Sequence, residues 1–291
     1  MLLNTRISVW AFVRLIKFDI IAISAYALIV GILDQYSFLS GISVPLSITA
    51  IIGTAVSLLL GFRTAQSYER WWEARIIWGA IVNDSRTLIR QLLQFLPQTE
   101  SSKAIASEFT KRQVIWCYAL SDSLRRVPYL QSVQQYIIAY NIKDQNIPNA
   151  ILNKHSEALA AIGLSEFKQM QVDATLSRLC DAMGKCERIK NTIFPRSYSL
   201  LIHFLIYVFA TMLPFGLDDK FVIVEIFLAA LIPLIFIAIE KTAIIMQDPF
   251  ENTPMDTPMT MLSKTIEINL LQMLGEENLP PLTKPDTYYV M

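Results

Sequence analysis

The stretch Gln35–Phe62, QYSFLSGISVPLSITAIIGTAVSLLLGF, runs for 28 residues without a charged side chain, between Asp34 and Arg63. A helix of about 20 predominantly apolar residues crosses the hydrocarbon core of a bilayer, so this stretch is long enough to span one. Pro45 sits where such a helix can begin, because its missing amide is one that the first turn leaves unpaired anyway. Three other runs read the same way. Ser197–Leu217 has no charge, Phe221–Ile239 is broken only by Glu225, and Ile20–Leu33 counts 14 residues. By length alone the last is equally a buried soluble helix. It is read as a span because the next follows closely and local thinning of the bilayer accommodates a short one. The expectation is an all-α polytopic membrane protein with four transmembrane helices in two hairpins and a helical cytoplasmic region.

Composition agrees. Of 291 residues, 53% are hydrophobic and 17% charged, against about 25% charged in an ordinary soluble domain. The 25 Lys and Arg residues balance 25 Asp and Glu. No basic excess is left for a nucleic-acid partner. Cys117, Cys180 and Cys186 form no CxxC pair and read as packing thiols, and two histidines, His155 and His203, supply no metal site. No phosphate-cradling glycine loop or nucleophile elbow is present. Because no nucleophile, base and orienter come together in a recognisable spacing, an enzyme is not expected.

Orientation follows from the cytoplasmic bias of Lys and Arg. The connection Asp34–Val44 has none, Asp218–Lys220 has one, and Arg63–Arg196 holds 18 of the 25. The hairpin loops therefore belong outside, and the middle and both termini inside. Trp10 and Phe12 among Arg6, Arg14 and Lys17 read as an interfacial helix rather than a secretory signal. The organisation expected is residues 1–62 for the interfacial helix and first hairpin, 63–196 for the cytoplasmic helices, 197–240 for the second hairpin, and 241–291 for a C-terminal helix and an extended tail. Within the middle, Trp71, Ile77, Ile81 and Leu88 recur at helical intervals, as do apolar residues of Phe109–Leu124 and Leu164–Ile189. Pro128, Pro148 and Pro195 mark breaks.

The block from Gly61 to Arg75, GFRTAQSYERWWEAR, followed by Trp78-Gly79, resembles the bestrophin family in its bacterial form. Met212-Leu213-Pro214-Phe215-Gly216, Asp248-Pro249-Phe250, Asp256-Thr257-Pro258 and the run Thr265–Leu271 resemble it in the same order and spacing. The resemblance implies a homopentameric ion channel of the bacterial plasma membrane, its pore on the fivefold axis. The second span would line a hydrophobic neck, and the cytoplasmic helices would enclose a vestibule. Counting back from Phe62 in the matching block places Thr54, Leu58 and Phe62 at the neck, on one helical stripe. An apolar ring around a narrow pore gates by dewetting. The alternative for Leu58 and Phe62 is packing against neighbouring helices. Thr54 departs from the apolar residue typical of its position, and a hydroxyl there loosens the outer end of the neck. Gly53, Ser57 and Gly61 suit close helix approach.

The match over Leu164–Phe167 and Cys186–Arg188 puts Phe167 at a second, cytoplasmic aperture, with a core aromatic as the alternative. Glu166, Asp173 and Lys168 are candidate vestibule charges. Glu225 reads as an intramembrane or an interfacial charge. His203 reads as a proton-sensing or a hydrogen-bonded packing group, and Arg70, Trp71 and Trp72 as an interfacial stack. The animal relatives bind Ca²⁺ through an acidic run. Here Asp248, Glu251 and Asp256 are separated by Asn and Pro, short of the six or more oxygens Ca²⁺ takes. No cofactor or metal is expected. The partners expected are further copies of the chain, the bilayer and monovalent ions, with chloride the default and cations the alternative within the family. A secondary transporter would show inverted repeats or broken midplane helices, and none is visible. A non-conducting scaffold is the remaining alternative.

Overall fold

The computed structural model describes residues 13, 14, 16–36, 43–192, 194–217, 222–253 and 255–281. The interfacial helix around Trp10 and Phe12, the Asp218–Lys220 turn and the tail beyond Pro281 lie outside the described residues. Nine α-helices occur among those described: α1 Lys17–Tyr36, α2 Leu46–Phe95, α3 Glu100–Arg125, α4 Gln131–Ala139, α5 Ile147–Ala161, α6 Glu166–Asn191, α7 Arg196–Met212, α8 Val222–Gln247 and α9 Met259–Met273. No strand occurs among the described residues.

One compact unit comprises residues 6–70 and 193–247, and so holds α1, the first part of α2, α7 and α8. Its core cluster of buried residues is Ile23, Val56, Leu60, Ile202, Ile206 and Ile237, with Tyr198 and Phe236 packed against it. Gly31 and Gly53 allow close approach of helices. A Cβ at Gly31 would lie 2.8 Å from Ile226 Cγ1, and one at Gly53 would lie 2.9 Å from the Phe209 ring. Gly61 is different, because nothing lies within 4 Å of where its Cβ would be. The expectation of close approach holds for Gly53 and not for Gly61 within the chain.

The outer surface of this unit is apolar. Phe18, Ile21, Ile29, Leu200, Phe204 and Ile223 are all exposed. Water does not favour so much contiguous hydrocarbon, whereas lipid does. Helices α2 and α8 are long and apolar enough to cross a membrane. Helix α1 has charges at Lys17, Asp19 and Asp34 around its apolar run, and α7 has 17 residues, or about 26 Å at 1.5 Å per residue.

The second compact unit comprises residues 1–5, 71–192 and 248–291. The rest of α2, with α3 to α6 and α9, buries Trp78, Ile81, Leu88, Trp116, Leu120, Leu179 and Ile266 in one core. Local sequence sets the helix limits. Thr99 caps α3 by accepting from Ser102 N at 3.2 Å, and Arg126 ends it in the left-handed region at φ 56°. Asn146 caps α5, and Pro148 occupies its first turn, so this proline starts a helix rather than breaking one. The unit limits fall at 70/71, 192/193 and 247/248. The pattern of charges had suggested 62/63, 196/197 and 240/241. The difference at the first limit has a physical cause, since Arg63 is drawn into the apolar unit by its pairing with Glu240. Cys117 and Cys186 are buried, and burial pushes both thiols up to about 12, which keeps them protonated and inert.

His155 is fully buried beside the Phe109 ring, at 5.2 Å between centroids. Among the described residues neither of its ring nitrogens has a hydrogen-bond partner. Burial, aided by the nearby Arg112 charge, holds it well below its ordinary value of 6.5. The imidazole is therefore neutral in the fold, while the unfolded chain takes up a proton below about pH 6.5. Stability is undiminished above that pH and falls by up to about 1.4 kcal/mol per subunit per pH unit below it. Thermal unfolding of the full-length protein in detergent should show a midpoint falling between about pH 6.5 and pH 5. The slope should be shallower in His155→Leu, and an equal slope in both would remove His155 from this role.

Candidate functional site

Helix α2 has two faces within the apolar unit. Thr49, Val56, Leu60, Arg63 and Ser67 point inward and are at most 2% exposed. Two residues along a helix turn the side chain by about 200°, so Leu58 and Phe62 lie opposite Val56 and Leu60. They are 59% and 58% exposed. Thr54 is exposed on the same stripe, and its hydroxyl donates to Ala50 O at 2.8 Å. Its proton is used inside its own helix, so the departure from an apolar residue is partly masked. Phe62 edges an apolar crevice of about 660 Å³, walled by Leu59, Phe194, Pro195, Tyr198 and Leu201. The Tyr198 hydroxyl holds the wall by donating to Leu59 O at 3.1 Å.

Behind the stripe lies a contact that the sequence did not disclose. Arg63 Nη1 donates to Glu240 Oε1 of α8 at 2.5 Å, with the two side chains 2% and 0% exposed. The guanidinium also stands 5.1 Å from the centre of the Phe194 ring. Each charge ends an apolar run, so each reads as a membrane-edge residue. Their separation of 177 positions hides the pairing. His203 of α7 joins them, its Nδ1 lying 3.3 Å from Glu240 Oε1 and 3.1 Å from Ser199 O. Glu225 is buried, at 2% exposure.

The aromatic stack differs from expectation in its cation. Arg75, not Arg70, stands over Trp71, at 4.8 Å, and Trp71 and Trp72 lie 6.2 Å apart. Arg70 Nε donates to Gln247 O at 3.0 Å, satisfying an end carbonyl of α8. Trp71 Nε1 donates to Met255 O at 2.6 Å.

In the helical unit, Phe167 is 79% exposed, with Met170 beside it at 63%. The core-aromatic alternative for Phe167 is therefore excluded within the chain. Glu166 and Asp173 are exposed and make no ion pair among the described residues. Lys168 is engaged instead. It donates to Phe95 O at 3.1 Å, at the C-terminus of α2 where the helix dipole favours a cation. Arg178 and Arg188 of α6 pair with Asp84 and Glu73 at 2.8 Å each. The acidic residues after α8 are used locally. Asp248 accepts from Lys190 at 2.6 Å, and Asp256 accepts from the hydroxyl and amide of Thr253. Burial raises the carboxyls of Glu251 and Asp256 above their ordinary range. Among the described residues, no group of three or more His, Cys, Asp or Glu is placed to hold a metal ion.

The exposed stripe thus sits on a helix that starts in an apolar unit and continues for 50 residues. The family description "Bacterial/Fungal Bestrophin protein" matches residues 6–272. This chain belongs to the bacterial bestrophin family. It is 32% identical over 269 residues to the voltage-dependent anion channel-forming protein YneE of Escherichia coli O157:H7, covering 90% of this chain and 87% of that one. A protein of Ralstonia nicotianae with the same description is 30% identical over 253 residues, covering 82% and 81%. The crystal structure of a bacterial bestrophin homolog from Klebsiella pneumoniae superposes with a TM-score of 0.78 at 28% identity, covering 90% of this chain and 100% of that one. The chain is a membrane protein with the bestrophin fold.

Truncating Phe62 widens any ring it forms and removes apolar surface. Each 1.36 kcal/mol off a barrier is a tenfold gain in rate, so relief of about 1–3 kcal/mol raises single-channel current roughly ten- to a hundredfold. Deleting a fully packed aromatic costs about 3–5 kcal/mol, but Phe62 is more than half exposed within the chain, so Phe62→Ala should still fold. The assembled Phe62→Ala and Leu58→Ala proteins, checked by gel filtration and recorded in planar bilayers, should both exceed the parent current. Parent-like currents in both would place the neck elsewhere.

Proposed function

We propose that the chain assembles as a homopentamer in the bacterial plasma membrane and conducts small monovalent ions, with anions such as chloride as the main permeant class. The observation that carries this reading is the exposed apolar stripe of Leu58 and Phe62, in the first part of α2, where the opposite face of the helix is buried. Large apolar side chains in that position call for further copies, lipid or a dewetting pore. Thr54, Leu58 and Phe62 would form the neck, and Phe167 a second aperture with Glu166 and Asp173 near it. Cyclic symmetry turns each stripe into a ring and supplies a pore that one subunit has no room for. The names of the relatives support conduction and favour anions.

A cation-conducting channel is the second reading, and one observation favours it. Glu166 and Asp173 are exposed, while the basic residues Lys168, Arg178 and Arg188 of the same helix are engaged by α2. Reversal potentials of reconstituted protein in asymmetric NaCl decide between the two. The expected sign is that of a chloride-selective pore, and Glu166→Gln with Asp173→Asn should strengthen anion preference. A sodium-selective reversal potential, abolished by the same pair, would establish the cation reading.

Four spans with both termini inside predict the exposure of thiols. Cys180 is exposed on α6 and belongs inside. In intact cells an impermeant thiol reagent should label a cysteine placed at Ser43 and spare Cys180 until the membrane is permeabilised. The opposite pattern would invert the topology.

A further inference from the structure

The charges that interrupt the apolar unit gather around one carboxylate. Glu240 Oε1 accepts from Arg63 Nη1 at 2.5 Å and lies 3.3 Å from His203 Nδ1. The neighbouring Lys241 is 3.5 Å from Asp19 of α1. The charged groups about the His203–Glu240 contact are thus Arg63 from α2, which shares the carboxylate, Lys241 from α8 and its partner Asp19 from α1, while His203 itself stands on α7. Its own helix adds the Ser199 carbonyl, 3.1 Å from Nδ1. A carbonyl only accepts, so Nδ1 carries the proton, and a second proton enters at Nε2 and makes the ring a cation. The His203 side chain is 40% exposed, while Glu240 is sealed at 0%. Of the two, His203 is the one that reaches the surface of the chain.

Arg63 follows Phe62 directly on α2, about 100° further round the helix, and the two side chains are 2% and 58% exposed. Whatever holds Arg63 sets the rotation of α2 at Phe62. We propose that the Arg63–Glu240 pair is the positioning element of the neck and that His203 is its proton-operated release. This rests on the reading of Phe62 as a pore residue. With His203 neutral, the carboxylate belongs to Arg63 and Phe62 is held in place. With His203 charged, two cations share one oxygen. The hold on Arg63 weakens, and the Phe62 ring loosens.

The test uses the full-length protein in planar bilayers, with both chambers stepped from about pH 8 to about pH 5.5. Parent current should rise roughly three- to tenfold, as a change in one charge-assisted hydrogen bond allows. Glu240→Gln should abolish the rise and show the acid-level current at every pH. Because that variant leaves a buried arginine without its counter-charge and is at risk in assembly, His203→Gln carries the test. It keeps a polar group in place, cannot titrate, and should hold the low current throughout. A parent current independent of pH, or an assembled His203→Gln that titrates like the parent, overturns the proposal. Phe62→Ala recorded alongside separates the two layers. If it leaves the current unchanged, the pore reading itself has failed. If it raises the current while His203→Gln still titrates, the coupling alone has failed.

Discussion

A guanidinium and a carboxylate 2.5 Å apart, both sealed from water inside an apolar unit, constrain everything around them. Taking two charges out of water costs several kcal/mol per ion, and only close geometry and further contacts repay it. Arg63 gains such a contact from the Phe194 ring, and Glu240 from His203. Neither charge can leave, because the one left behind would be buried and unpaired, at a cost of about 3–5 kcal/mol. The pair therefore fixes the register of α2 against α8. With Arg63 turned inward, Phe62 and Leu58, about 100° and 140° round the helix from it, fall on the exposed side.

The outward stripe is accordingly a consequence of the inward one. Val56, Leu60 and Ser67 fill the inner face, and Gly53 lets the Phe209 ring approach. Gly61, by contrast, has open space above it. Among the described residues nothing lies over Gly61, beside exposed Leu58 and Phe62, which suits the proposed packing of further copies there. The apolar crevice beside Phe62 fits the same account.

Much of this was legible in the sequence, and what was missed has a common cause. The 28-residue uncharged run located the first part of α2, and the 3.6-residue recurrence of Ile77, Ile81 and Leu88 located its continuation. The family block fixed the stripe of Thr54, Leu58 and Phe62. The two parts are one helix, and no proline intervenes between Leu46 and Phe95. The first charge after an apolar run does not end a helix, and this is why Arg63 gave a misleading boundary. Pairings across long separations were not readable. Nothing local tells Arg63 that its partner is Glu240, or Arg86 that its partner is Asn269 at 2.5 Å. The assignment of the Trp71 cation to Arg75 rather than Arg70 was also out of reach. It depends on the carbonyl of Gln247 claiming Arg70 first.

Selectivity poses a different physical problem from gating. An apolar neck raises the same dewetting barrier for ions of either sign, so preference must come from charges that the ion passes elsewhere. At physiological ionic strength the screening length is about 8 Å, so only charges close to the path matter. On α6, Lys168, Arg178 and Arg188 are committed to the end of α2, Asp84 and Glu73, and Lys190 to Asp248, while Lys185 is exposed along with Glu166 and Asp173. That distribution works against anions wherever those carboxylates face the path. An anion-selective pore in this chain must therefore keep Glu166 and Asp173 more than a screening length from the conduction axis, or offset them with partial charges from amide groups and ring edges at the aperture.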